Sequence, residues 1–174
     1  MIKTNFLGVS SFAFLLLVGC QSVDYGKNQK ASAILDSRSG SNVKGTVNFT
    51  AQGRDVLVTG TFTGLKPNSE HGFHIHEKGD CSASDATSAG GHFNPNMNSH
   101  GSPHSGVSHA GDMPNIKSDA NGNATYSVAL SGFAINHGSN GILGKSVVVH
   151  RDPDDYKSQP AGNSGPRVAC GLIK

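Results

Sequence analysis

The chain has 174 residues, a formal net charge of +2, 23 glycines, no tryptophan and only 15% charged residues. That length suits one domain with a real core and is too short for two comfortable ones. The balanced charge gives no basis for a nucleic-acid partner, and the glycine-rich composition favours many short strands and turns over a helical bundle.

At the N-terminus Lys3 precedes an almost wholly apolar run from Phe6 to Val18. At about 13 residues the run falls short of the ~20 that a spanning helix needs, and it reads as a targeting segment. It ends in Leu17-Val18-Gly19-Cys20, which resembles a bacterial lipobox. The expectation is therefore a lipoprotein signal peptide over residues 1–19, cut before a lipid-bearing Cys20, with residues 20–30 as lipidated cysteine and polar tether. The alternative is an ordinary secretory signal in which the cysteine is incidental. Gln21 after the cysteine, where Asp would mark another destination, leans towards the outer membrane of a bacterial envelope. The cysteines are Cys20, Cys81 and Cys170, an odd set for an exported protein. With Cys20 lipidated, Cys81 and Cys170 remain as one pair, and the oxidising periplasm permits their disulfide.

From residue 31 onward, strand patterns alternate with turns. Ala31 to Asp36 is a short strand. Val43, Gly45, Val47 and Phe49 alternate with Lys44, Thr46, Asn48 and Thr50, then Gln52-Gly53 turns the chain. Val56, Val58, Gly60 and Phe62 line one face of the next strand and complete a hairpin. Gly72 to His76 is a further strand. Residues 77–111 show no periodicity, and a segment of that length inside a compact domain is normally functional. Strand patterns resume at Asn115 to Lys117, Ala124 to Leu130, Ser146 to His150 and Arg167 to Ile173. No stretch sustains a period near 3.6, so the fold class is all-β: a Greek-key barrel or sandwich of about eight antiparallel strands with long loops.

The chemistry-bearing residues are histidines. On a strand His74 and His76 share a face, with His71, Phe73 and Ile75 on the other. Two imidazoles on a rigid face form half a metal site, although a solvent-facing polar face would read the same way. His150 ends an apolar run and could complete the set, and imidazoles without thiolate suit copper or zinc. His92, His100, His109 and Asp112 supply three nitrogens and a carboxylate, the donor set of a closed structural zinc site. Spacing alone leaves open a flexible histidine-rich tract that scavenges metal.

The stretches HGFHIHEKGDC (71–81), SAGGHFNP (88–95), GKSVVVH (144–150) and GPRVACGLI (165–173) resemble the copper/zinc superoxide dismutases of the bacterial exported type. The spacing of His92, His100, His109 and Asp112 resembles theirs too, and the likeness covers residues 31–174, the whole expected domain. The resemblance implies copper on His74, His76, His92 and His150, and zinc on His92, His100, His109 and Asp112. His92 would bridge the two as an imidazolate. It implies Arg167 as the guide for the superoxide anion and a Cys81–Cys170 disulfide anchoring the loop that presents it. It also implies Asp154 as the carboxylate linking His74 to His100. The implied reaction turns superoxide into dioxygen and hydrogen peroxide, with redox-cycling copper joined through the His92 imidazolate to structural zinc. A non-catalytic envelope protein that buffers copper or zinc is the alternative. The resemblance makes His71 a buried structural residue and gives His104 and His137 no role. Between Cys81 and His92 the chain is longer than in eukaryotic members, and between His150 and Arg167 it is shorter. The shortened stretch normally carries steering charges, so Lys78 and Lys157 become candidates for that task. The resemblance admits a homodimer without fixing its interface.

Overall fold

The computed structural model describes residue 1, residues 29–136 and residues 138–174. The expected signal peptide, Cys20, most of the tether and His137 lie outside the described residues. The described chain forms eight strands: β1 (Lys30–Ser37), β2 (Lys44–Gln52), β3 (Asp55–Thr63), β4 (Glu70–His76), β5 (Asp112–Lys117), β6 (Ala124–Leu130), β7 (Ser146–His150) and β8 (Arg167–Leu172). The sheet order is β5-β4-β7-β8-β1-β2-β3-β6, with every pairing antiparallel. The chain crosses from β3 to build the β4–β5 pair, returns as β6 beside β3, and crosses again to lay β7 beside β4. This is the expected Greek key, nearly closed: the Tyr126 hydroxyl on β6 donates to the Pro114 carbonyl on β5 (3.2 Å) across the two edges.

The alternation read from sequence governs packing. In β1, Ala31, Ala33 and Leu35 point inward while their neighbours are exposed. Phe62, Phe73 and Tyr126 stack edge-to-face through the centre, with centroids 5.5 and 5.2 Å apart. These apolar faces bury a continuous core, the dominant stabilising term of the fold.

β5 begins three residues earlier than its pattern indicated, at Asp112, and includes Pro114. Proline removes a ladder donor, and it is tolerated because β5 is an edge strand paired only with β4. β4 and β7 are buried on both faces. Phe73, Ile75, Val147 and Val149 face the core, while His74, His76, Val148 and His150 face outward beneath the loops. Val148 joins Cys81, Ala86, Ala89 and Cys170 in a second small cluster. The Cys81–Cys170 disulfide runs through it, closing a sequence separation of 89.

The aperiodic segment 77–111 is sewn to β4 by backbone hydrogen bonds. Phe93 N–H donates to the Ile75 carbonyl (2.8 Å), Ile75 to Gly111 (2.9 Å), Gly111 to Phe93 (2.8 Å) and Glu77 to Gly91 (2.9 Å). An isolated antiparallel bridge pairs His92 with His76.

Candidate metal centre

β4 presents His74 and His76 on one face, β7 ends in His150, and the His76–His92 bridge swings His92 over them. One ligand atom from each of these four buried residues lies within 4.8 Å of every other. In three of the rings one nitrogen is committed to an acceptor. His74 Nε2 pairs with Asp154 Oδ2 (2.8 Å), His76 Nδ1 with the Gly90 carbonyl (3.0 Å) and His150 Nδ1 with the Gly165 carbonyl (3.1 Å). The nitrogens left over, His74 Nδ1, His76 Nε2 and His150 Nε2, are buried without a hydrogen-bond partner, as is His92 Nε2. Buried polar atoms without partners are costly, and four such lone pairs converging on one point have the arrangement of a metal site with its outer hydrogen bonds in place.

The second group holds His92, His100, His109 and Asp112, again buried and again within 4.8 Å of one another. His92 Nδ1 lies 2.8 Å from Asp112 Oδ1, His109 Nδ1 3.3 Å from the same oxygen, and His100 Nδ1 3.1 Å from Oδ2. The Asp112 Oδ2 atom also accepts the His109 and Gly101 backbone N–H groups (2.8 and 3.2 Å), which curls the loop onto the carboxylate. Asp112 is the register partner of His74, so the β4–β5 ladder sets the spacing between the groups. Three imidazoles and one carboxylate make a donor set that fits tetrahedral zinc, and four imidazoles fit copper. His92 is the one residue common to both, with Nδ1 in one group and Nε2 aimed into the other.

Asp154 joins the groups from behind: Oδ2 meets His74 Nε2 and Oδ1 meets His100 Nε2 (2.9 Å). Burial would raise the Asp154 carboxyl, but His100, His74 and the Tyr156 backbone N–H hold it well below the usual carboxylate range. Asp112 is likewise pulled far down, against burial, by His100, His109 and His92. Burial drives His76 and His150 well below an ordinary imidazole and lowers His74; it brings His92 to about 4. At His100 burial is overcome by Asp112 and Asp154, which hold the ring up at about 9. Four neutral rings with free lone pairs are ready ligands.

Arg167 opens β8 opposite His150. Its Nη1 donates to the Ala86 carbonyl and its Nη2 to the Gly90 carbonyl, both at 2.7 Å. His71 is buried and donates from Nδ1 to the His150 carbonyl (3.0 Å), bracing the end of β7. The His104 side chain is exposed, as are the side chains of Lys78 and Lys157.

Several supporting residues left no trace in the sequence patterns. Asn115 clamps the Asp154 backbone, accepting from its N–H (2.9 Å) and donating to its carbonyl (3.0 Å). Gln159 does the same to His100, at 2.9 Å for both bonds. Gly162 (φ +65°) lies so close that a Cβ would collide with Asp154 Oδ1 and with His100 Nε2. The PxGxxG stretch from Pro160 to Gly165 hints at a tight turn there but says nothing of what it packs against.

The family model for copper/zinc superoxide dismutase matches residues 43–173. The chain is 40% identical over 171 residues to "Superoxide dismutase [Cu-Zn] 2" of Aquifex aeolicus, covering 96% of this chain and 97% of that protein. It is 46% identical over 123 residues to "Superoxide dismutase [Cu-Zn] 1" of the same organism, covering 68% of this chain and 73% of the other. Among solved structures it is similar to the clock protein EA4, with a TM-score of 0.76 and 38% identity over 84% of this chain and 94% of that one.

Proposed function

The chain belongs to the copper/zinc superoxide dismutase family, and from that premise we propose a lipid-anchored envelope enzyme with copper on His74, His76, His92 and His150 and zinc on His92, His100, His109 and Asp112. Its reaction is the conversion of superoxide to dioxygen and hydrogen peroxide. The observation that carries the assignment is the shared imidazole: only His92 belongs to both ligand groups.

Copper, when bound, supplies the one-electron couple that dismutation requires and that zinc lacks. The chain's own residues do the rest. Arg167 is held by two backbone carbonyls beside His150, so a fixed cationic fork faces an arriving anion. His92 can hold a proton at Nε2 and surrender it to a reduced oxygen species, because that nitrogen has no other partner. Asp154 fixes the tautomers of His74 and His100, leaving Nδ1 of each as the available donor. A pure metal buffer needs neither a guiding arginine nor a shared ring, and that role is not favoured.

The lipid anchor rests on the apolar run ending at Gly19-Cys20 and on the disulfide, which takes up the other two cysteines. Mass spectrometry of the mature N-terminus tests it: a diacylglyceryl Cys20 is expected, and an unmodified residue there sinks the anchor. Metal analysis with a dismutation assay tests the enzyme. One copper and one zinc per chain with cyanide-sensitive activity are expected, and His92→Ala should lose activity and weaken both metals. Full metal loading of the wild type without dismutation would leave the buffer reading standing.

A further inference from the structure

The loop that carries His100 has almost no apolar content: residues 94–108 bury only His100 and Gly101. No strand runs through it. Its stability on the zinc side therefore depends on a few polar contacts, and those that end on carboxylates reach Asp112 and Asp154. One pair of contacts to His100 uses neither carboxylate. Gln159 Oε1 accepts the His100 backbone N–H and Gln159 Nε2 donates to the His100 carbonyl, each at 2.9 Å. A carboxamide offers the same donor and acceptor pair as a peptide group, so the two bonds reproduce one rung of a β-ladder between segments 59 positions apart. Gln159 Nε2 is also near its own loop's Lys157 carbonyl (3.3 Å), which orients the amide.

The rung matters because of what His100 does. Its Nδ1 faces the second ligand group, and its Nε2 ends on the Asp154 oxygen whose twin holds His74. Fixing the His100 backbone from outside thus sets the ring against Asp112 on one side and Asp154 on the other. Asp154 is independently clamped by Asn115. The segment 151–165 is short, and Gln159 ties it to the histidine loop with no ligand side chain involved.

We propose that Gln159 is a positioning residue for the zinc half-site: a metal-independent clamp that places His100 before any ion binds. The proposal rests on the reading of His100 as a zinc ligand. It uses the full chain with its disulfide intact, as wild type, Gln159→Ala and Gln159→Met, the last preserving length while removing both hydrogen bonds. Three quantities are read: zinc affinity by chelator competition, the visible absorption of cobalt(II) placed in the zinc site, and hydrogen exchange at the His100 amide in metal-free protein. Both variants should hold zinc roughly fivefold less tightly, shift the cobalt bands, and expose the His100 amide to exchange, consistent with losing two solvent-accessible bonds to neutral groups. Wild-type zinc affinity and an unchanged cobalt spectrum in both variants overturn the proposal, even if the melting temperature falls, because a mere loop strut would behave that way. If Gln159→Ala fails to fold, Gln159→Met decides. His109→Ala serves as the control: if it keeps wild-type zinc affinity, the zinc assignment has failed and not the clamp.

Discussion

Arg167 and His76 donate to one and the same oxygen. The Gly90 carbonyl accepts Arg167 Nη2 at 2.7 Å and His76 Nδ1 at 3.0 Å. The group proposed to guide the substrate and a proposed copper ligand are therefore referenced to a single peptide unit, and a shift of the loop at Gly90 moves both. Gly90 itself tolerates no side chain, since its φ is +74° and a Cβ would meet the Glu77 carboxylate.

Replacing Arg167 separates charge from geometry. Arg167→Lys keeps the charge but cannot make the paired bonds to Ala86 and Gly90; Arg167→Ala loses both. One unit charge at contact distance is worth about 1 to 4 kcal/mol depending on solvent access, so kcat/KM should fall at least roughly fivefold in Arg167→Ala. Arg167→Lys should fall in between, with metal content unchanged in each. Steady-state assays across ionic strength check this, and a wild-type kcat/KM in Arg167→Ala would remove the guiding role.

Asp154→Ala should disturb both metal sites through one substitution. It strips the acceptor from His74 Nε2 and His100 Nε2 together, and loss of such outer hydrogen bonds typically costs about 10–100-fold in metal affinity. Asp154→Asn keeps one acceptor oxygen and should spare one ring. Chelator competition for copper and zinc separately is the measurement; an effect confined to a single metal in Asp154→Ala would break the proposed link.

The metal-free protein should be most stable near neutrality. His74, His76, His92 and His150 all stay neutral in the fold at pH values where the unfolded chain protonates them, His92 down to about 4. Below about 6.5 the unfolded state binds more protons, so stability rises with pH over that range. His100 works in the opposite sense. Held up at about 9, it contributes fully below about 6.5 and loses its contribution as pH climbs through 9. Denaturant unfolding of the chelated protein from pH 4 to 10 should give a maximum in the range between about 6 and 7. A profile still rising at pH 9 would contradict the charge assigned to His100.

Removing the disulfide should cost activity as well as stability. For a closed loop of this size the chain-entropy model gives about 4–5 kcal/mol as an upper guide. The freed segment also carries the Ala86 and Gly90 carbonyls that seat Arg167. Cys81→Ser with Cys170→Ser should therefore melt markedly lower and, while still folded and metal-loaded, show a reduced kcat/KM. An unchanged kcat/KM would mean that the second small core alone seats the arginine.

The strand pattern was legible where one face meets the core and the other meets water. β1, β2 and β3 follow their alternation, and β6 and β7 begin and end at the positions read from sequence. Pro114 interrupts the pattern of the edge strand β5, and only the pairing with β4 shows that the strand starts at Asp112. Strand geometry ties His74 to His76 and donor chemistry offers the other ligands as candidates, while the family resemblance, not spacing, made His92 common to both groups. What holds them was hidden. Gly90, Gly165, Asn115 and Gln159 act through backbone groups or through single side-chain clamps across 39 and 59 positions, and such contacts leave no period in a sequence.

The core cluster contains no ligand residue, and the disulfide draws on neither ligand group. The burial that closes the barrel and the covalent bond that pins its loop are thus separate from the donors that would hold metal. Chelation is expected to leave barrel and disulfide standing, and adding copper and zinc back is expected to restore activity.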